Sequence, residues 1–158
     1  MTIKDVLIRH IQDTFEKETW QPPLAKAVDG LTAKQAVWKP APERHSIWQI
    51  VKHIIHWKRG VLEAWDGNPP DYKEMERGDW VEASGDDAVW QVDVQALREL
   101  TAKIRERVEA ADETRLTGPL ATYKGLKNQT AVIRLMSVAT HDIYHAGQIR
   151  YIRALQGV

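Results

Sequence analysis

Two histidines near the end of the chain have the spacing of metal ligands. His141 and His145 lie four residues apart in the segment His-Asp-Ile-Tyr-His. On a helix, residues four apart leave the same face one turn apart, so both imidazoles can reach one ion. Val138, Ile149 and Ile152 fall on or beside that face, which predicts that the pair points inward. The spacing fits two ligands of one ion, and it also fits core or surface histidines with ordinary polar partners.

A third ligand must come from elsewhere, because catalytic metals commonly take three protein ligands. His53 is the first candidate, since Ile50 and Trp57 share its helix face and indicate that this face looks inward. Gly60 removes a side chain one turn beyond Trp57, which predicts either a cavity or a close-packed neighbour. The other candidates, each with an ordinary polar role as the alternative, are His56, His10 and His45.

Two better-known motifs containing these residue types do not fit. A zinc protease needs His-Glu-x-x-His, with the Glu as general base, and here Asp142 stands in place of that Glu. A phosphohydrolase of the His-Asp type needs further His or Asp ligands downstream, and no His, Asp or Glu follows His145. Neither of these motifs therefore accounts for the histidine pair.

Four long amphipathic helices are predicted to position these residues. In the first, Ile3, Leu7, Ile11 and Phe15 recur at four-residue steps. The other helices end where Pro and Gly cluster, and Gly157 ends the last one. The predicted helices cover residues 2–18, 46–65, 88–111 and 129–155, with Thr2 and Ser46 as N-caps.

The connections predict the fold class. Residues 21–44, rich in proline, hold at most one short helix over 32–38, and residues 67–87 are polar and rich in turns. A short extended piece is expected at 120–123. The acidic stretch 71–87 is interpreted as a solvated crossover with no chemistry, because its carboxylates lack a fixed ligand spacing. We therefore expect one domain over residues 1–158, an all-α four-helix bundle with long crossover connections.

Composition excludes several classes of protein. Lys plus Arg and Asp plus Glu both number 22, so no net charge attracts nucleic acid, which is not expected as the main partner. The chain has no cysteine, which excludes disulfides, thiolate metal ligands and a cysteine nucleophile, so any thiol chemistry uses a borrowed thiol. The apolar runs are short and the first residues lack a signal-peptide core, so we expect no membrane segment and a cytoplasmic location.

Two segments resemble a known family. Ser-Ile-Trp-Gln-Ile-Val-Lys-His-Ile-Ile-His, starting at Ser46, and the closing helix with His-x-x-x-His-Ala-Gly-Gln-Ile, starting at His141, are similar to the DinB-like superfamily. That superfamily includes YfiT-type metal-dependent hydrolases and bacillithiol S-transferases. The resemblance spans nearly the whole chain and depends above all on the closing helix.

The resemblance implies a four-helix bundle of unusual connectivity with a divalent metal held by three histidines. The matching positions in this chain are His53, His141 and His145. Zinc is the first expectation, with nickel, manganese or iron as alternatives, because three imidazoles suit several ions. Related members are thiol transferases or isomerases, whereas many others have no established reaction, so the resemblance implies a site more firmly than a reaction.

Four further residues are assigned roles around such a site. Gln148 lies about 20° from His141 around the helix and is expected to orient a ligand or support a metal ligand. Trp57 is expected to line the site. Arg134, two turns before His141 on the same face, is placed to meet a carboxylate of the thiol, with a solvated arginine as the alternative. Asp142 points about 100° away from His141 and is interpreted as a surface residue or a supporting partner.

These residues lead to one leading hypothesis and two alternatives. The metal activates an exogenous low-molecular-weight thiol, which attacks an electrophilic small molecule. Alternatively, water bound to the metal is the nucleophile and the protein is a hydrolase. The third hypothesis is a non-catalytic, stress-associated metal-binding bundle that acts through a partner, with a homodimer as one form.

Overall fold

The computed structural model describes residues 1–121, 123–124 and 126–158, and in them the helices dominate. The long helices are α1 (Ile3–Phe15), α4 (Ile47–Trp65), α6 (Asp87–Ala110) and α8 (Ala131–Gln156). Short helices lie in the connections: α2 (Leu24–Val28), α3 (Ala33–Val37), α5 (Tyr72–Arg77) and α7 (Glu113–Thr117). Two short strands, β1 (Pro119–Leu120) and β2 (Gln129–Thr130), pair antiparallel.

The helix starts follow from their capping residues. Thr2 and Ser46 both form capping boxes, in which the cap hydroxyl accepts from the N3 backbone and the N3 side chain accepts from the cap backbone. At the other end of the chain, Gly157 ends α8 with φ of 74°, in the left-handed region that favours glycine. These ends agree with the prediction.

The four long helices pack as a bundle in the cyclic order α1, α6, α4, α8. Consecutive long helices α1 and α4 therefore lie across a diagonal, as do α6 and α8. A diagonal step requires a longer connection than a hairpin between neighbours, which accounts for the long crossovers. The predicted fold class is confirmed.

The connections contain more structure than predicted. Residues 21–44 hold two short helices instead of at most one, because Pro23 precedes the first turn of α2 and its missing N–H costs nothing there. The buried residues of α2 pack against α8. In addition, α5 and α7 were not predicted, α1 ends at Phe15, and Gln129 begins β2 rather than a helix. Thr122, within the predicted extended piece, lies outside the described residues.

Two of the seven tryptophans support the core. Trp48 on α4 and Trp90 on α6 are fully buried, with their rings edge to face at 5.3 Å. Their indole N–H groups donate to Asp93 and to the carbonyl of Leu31. The pair ties α4 to α6 beside the end of the bundle that carries the histidines. Among the described helices, none is both long and apolar enough to cross a bilayer.

Candidate metal centre

Three histidines from two helices meet at a common point. His53 on α4 and His141 and His145 on α8 each direct one ring nitrogen at the others, and these nitrogens lie within 4.8 Å of one another. Nε2 of His141 is 3.0 Å from Nε2 of His53 and 2.9 Å from Nε2 of His145. His53 and His145 are buried and His141 is partly buried. The structure thus brings together the three histidines singled out in the sequence.

The outer ring nitrogens of two histidines are held by oxygen acceptors. Nδ1 of His53 lies 2.5 Å from Oδ1 of Asp79, and Nδ1 of His145 lies 2.7 Å from Oε1 of Gln148. The amide of Gln148 is itself oriented, because its Nε2 donates to the hydroxyl of Tyr144 at 3.0 Å. A carboxylate or amide oxygen can only accept, so both imidazoles carry their proton on Nδ1. Their Nε2 lone pairs therefore face the centre.

The cluster has too few protons to satisfy itself. With His53 and His145 protonated on Nδ1, two Nε2 lone pairs point at Nε2 of His141. A neutral His141 can donate its single Nε2 proton to only one of them, so the other contact has no hydrogen to share. Protonating the cluster is disfavoured by burial. A cation at the centre would satisfy all three nitrogens.

Burial keeps the three imidazoles neutral. Burial, together with the neighbouring His145 and His53, lowers the pKa of His141 to about 3. Burial also lowers the pKa of His145 to about 4, although the hydrogen bond that its ring donates to Gln148 opposes this shift. The pKa of His53 falls for the same reason, opposed by the charge of Asp79. Neutral imidazole is the form that binds a metal.

The geometry fits a divalent ion. Zinc binds imidazole nitrogen at about 2.0–2.1 Å, which in a tetrahedral site separates the nitrogens by about 3.3 Å. The separations of 2.9 and 3.0 Å differ from that value by a few tenths of an ångström. Hydrogen bonds from the far ring nitrogen to a carboxylate or a carbonyl are also the usual support of histidine ligands. His53, His141 and His145 would hold the ion, leaving one tetrahedral position open.

The acidic crossover supplies two residues that the sequence analysis missed. Asp79 accepts a hydrogen bond from Trp57 Nε1 at 2.5 Å besides that from His53, so the interpretation of this stretch as solvated was wrong at this position. The next residue, Trp80, stacks on His53 with ring centroids 4.2 Å apart and on His45 at 3.6 Å. A large aromatic residue within a charged loop was the available signal, because such a ring needs a surface to pack on.

The residues expected around the site all lie close to it. Gln148 contacts His145 as described, and the ring of Trp57 lies edge-on to His53 at 6.3 Å. Arg134 is partly buried, its Nη2 donates to the hydroxyl of Tyr123, and its guanidinium lies 4.7 Å from the centre of that ring. The partners of Arg134 are thus protein groups rather than bulk solvent.

The other histidines do not join the cluster. Nε2 of His56 lies 3.0 Å from the carbonyl oxygen of Met75, which gives it the ordinary polar role named as its alternative. His10 lies 3.5 Å from Thr140 Oγ1, and His45 is exposed on the outer side of Trp80. Gly60 serves a close-packed neighbour, because a Cβ there would lie 2.7 Å from the methyl carbon of Met75.

Asp142 is not a surface residue. Its carboxylate is buried and accepts a hydrogen bond from Lys58 Nζ at 2.7 Å, and Lys58 also donates to Thr101 at 2.6 Å. Burial lowers the pKa of Lys58 and raises that of Asp142, while each charge opposes the shift in the other. The helix wheel placed Asp142 correctly at about 100° from His141, but that direction is the bundle core.

A cavity adjoins the cluster on the side of His141. Its volume is about 350 Å³. Three aromatic rings line it, from Trp57, Tyr72 and Tyr123, together with Arg134 and His141. This volume lies within the range of small-molecule sites, which are commonly lined by aromatic side chains with a few polar groups. The cluster therefore has a cavity of small-molecule size beside it.

The sequence matches the DinB superfamily over residues 18–149. This match covers most of the chain and includes all three histidines. The chain belongs to the DinB superfamily. Among curated proteins, no relative was found.

Two solved structures share the fold. One is YfiT from Bacillus subtilis, described as a probable metal-dependent hydrolase with an unusual four-helix bundle topology; the TM-score is 0.66 at 14% identity, over 98% of this chain and 87% of that one. The other is the DinB-like protein YjoA from Bacillus subtilis, with a TM-score of 0.57 at 19% identity, over 99% of this chain and 92% of that one. At these identities the likeness shows the bundle topology alone.

Proposed function

We propose that this protein is a divalent-metal-dependent enzyme that transfers a low-molecular-weight thiol to an electrophilic small molecule. His53, His141 and His145 hold the ion, with zinc expected first and nickel, manganese or iron as alternatives. The observation that carries the proposal is the set of three converging Nε2 atoms that lack the protons to satisfy one another. An ion bound there lowers the pKa of a thiol or a water molecule in its open position and so supplies a nucleophile near neutral pH.

Residues around the three histidines support this chemistry by orienting the ligands, excluding water and binding the substrate. Asp79 and Gln148 hold the rings of His53 and His145 in the tautomer that directs Nε2 inward. Trp80 covers the face of His53 and limits the approach of water from that side. The aromatic cavity beside His141 positions the electrophile. Because the chain has no cysteine, the thiol is a separate small molecule.

Hydrolysis is the second candidate. It is favoured by the description of YfiT as a probable metal-dependent hydrolase, since the two folds are alike. The same site suits both reactions, because a water molecule and a thiol compete for the same open position. A reaction that consumes thiol distinguishes the first candidate from the second.

Metal content tests the site. Protein purified without a histidine tag or a chelator is expected to contain one divalent ion per chain by elemental analysis. His141→Ala is expected to lose it, because two nitrogens remain. His10→Ala is the matched control and keeps it, since His10 lies outside the cluster. Unchanged metal content in His141→Ala would overturn the assignment of the ligands.

Activity tests the reaction. The metal-loaded protein is incubated with glutathione, mycothiol or bacillithiol and a panel of electrophiles, and the loss of free thiol is followed. Loss that depends on the metal and on His53 supports the transferase. Ester or amide hydrolysis without thiol supports the hydrolase instead. Retained metal with neither reaction would favour a non-catalytic metal-binding bundle.

A further inference from the structure

The cavity beside His141 has an uneven distribution of charge. Two cations line it, Lys58 and Arg134, and no carboxylate appears among the described residues that line it. Lys58 is neutralised by Asp142 at 2.7 Å. Arg134 forms no ion pair with any described residue, and its Nε is buried without a hydrogen-bond partner among them. Among the described residues, therefore, no carboxylate pairs with the positive charge that Arg134 brings to the cavity.

The environment of Arg134 favours an anion. A guanidinium carries five N–H donors in a planar fork, and the hydroxyl of Tyr123 accepts from only one of its nitrogens. The ring of Tyr123 lies against the guanidinium at 4.7 Å and helps to fix its plane. A carboxylate matches such a fork with two parallel hydrogen bonds. A neutral ligand would leave the charge unpaired.

The aromatic walls of the cavity favour a ligand with apolar surface. The rings of Trp57, Tyr72 and Tyr123 are in mutual contact, with centroids 5.5 to 6.3 Å apart. Such rings favour planar, apolar surface through stacking or edge-to-face contact. The indole N–H of Trp57 is already engaged by Asp79, so this wall presents mainly apolar surface. The body of the ligand is therefore expected to be flat and apolar.

Helix α8 sets the distance between the groups that would contact the two ends of a ligand. Arg134 and His141 lie seven residues apart on α8, a rise of roughly 10 Å. Both line the same cavity of about 350 Å³. A ligand whose carboxylate meets Arg134 can therefore present its other end to the histidine cluster.

We propose that this cavity binds a substrate with a carboxylate on a planar apolar body, held by Arg134 and the three rings, and with its reacting end at His141. The position of the reacting end rests on the proposed function, whereas recognition of the carboxylate rests on Arg134. The substrate in question is the electrophile, because a flexible polar thiol makes no use of the aromatic walls.

Calorimetric titration with a matched pair of probes tests the proposal. The probes are 2-naphthoate and its uncharged analogue 2-naphthamide. The wild-type protein is expected to bind the carboxylate at least about tenfold more tightly than the amide, as for a hydrogen-bonded charged group. Arg134→Leu is expected to lose this preference while still binding the amide, and Arg134→Lys to keep part of it. Arg150→Leu, on the exposed side of α8, is the matched control and keeps the preference.

Each variant carries its own check of folding. Amide affinity reports whether the cavity is intact, and if Arg134→Leu no longer binds the amide, Arg134→Gln replaces it. Equal affinity for the two probes, or a preference that survives in Arg134→Leu, would overturn the proposal.

Titrations in EDTA separate this proposal from the metal site. A preference that persists in EDTA and depends on Arg134 supports the cavity assignment, even if the protein proves to bind no ion. A preference for the carboxylate that is lost in EDTA, but that Arg134→Leu retains without EDTA, would mean that the ion itself binds the carboxylate. That result would overturn the proposal. Displacement of naphthoate by glutathione at similar concentration would assign the cavity to the thiol and overturn the planar-substrate assignment.

Discussion

Two polar clusters lie between α4 and α8, and they differ in how their charges are balanced. Lys58 brings a cation, Asp142 an anion and Thr101 a hydroxyl, and all three are buried and joined by hydrogen bonds. The three-histidine cluster directs three ring nitrogens at one another with no cation among them, and the carboxylate that it contacts, Asp79, lies behind His53. A polar cluster that supplies its own counter-charge holds the bundle together, whereas one whose nitrogens converge without enough protons suits a cation from outside.

The largest expected effect is on stability, at the balanced cluster. Lys58→Met leaves the buried carboxylate of Asp142 without its counter-charge, and we expect a loss of about 3–5 kcal/mol in the free energy of unfolding. Urea unfolding of the metal-free protein measures this loss. The double variant Lys58→Met with Asp142→Leu is expected to recover most of it, because neither charge remains. A single-variant loss below about 1 kcal/mol would contradict a structural role for the pair.

The next effect is metal-linked stabilisation at the histidine cluster. Zinc at 100 times its dissociation constant is expected to raise the free energy of unfolding by about 2.7 kcal/mol, since it binds the folded state. His141→Ala is expected to lose this gain, while Lys58→Met with Asp142→Leu retains it if the two clusters are independent. Thermal unfolding with and without zinc provides the measurement. Equal stabilisation of His141→Ala would place the ion elsewhere.

A smaller effect is expected from the carboxylate behind His53. Asp79→Ala removes the acceptor that orients the ring, and we expect zinc affinity to fall about 10- to 100-fold. Competition with a chromophoric chelator measures this affinity. Glu74→Gln, in the exposed part of the same acidic stretch, is the matched control and is expected to bind zinc like the wild type. Unaltered affinity in Asp79→Ala would show that His53 is held by packing against Trp80 alone.

The sequence predicted the histidine cluster better than the cluster of Lys58, Asp142 and Thr101. The spacing of His141 and His145 and the inward face of His53 follow from helix periodicity, so these residues could be found. Asp142 was misplaced although Leu135, Ala139, Ala146 and Ile149 surround it on the helix wheel and all are buried. A charged residue within such a face indicates a buried partner, but helix periodicity does not name Lys58.

The crossover residues could not be found in this way. Asp79 and Trp80 reach the site because α5 packs on α4 through Met75 and Gly60. That docking depends on contacts between segments distant in the fold, which local patterns do not encode. The long helices and their caps were predictable because their signals are local, while the short helices in the connections depend on burial against the bundle.

The smallest expected effect is that of His141→Ala on the pH dependence of the metal-free protein close to neutrality. Burial lowers the pKa of His141 to about 3 and of His145 to about 4, whereas both titrate near their ordinary value of 6.5 in the unfolded chain. Below 6.5 the unfolded chain therefore binds more protons than the folded protein, so stability is full above that pH and falls as the pH decreases toward 4. Urea unfolding in EDTA from about pH 7 to about pH 5.5 spans only the upper part of this window. In His141→Ala, stability is expected to decline less steeply as the pH falls, because one of these imidazoles is gone. An unchanged slope in that variant would mean that His141 is protonated as readily in the folded protein as in the unfolded chain.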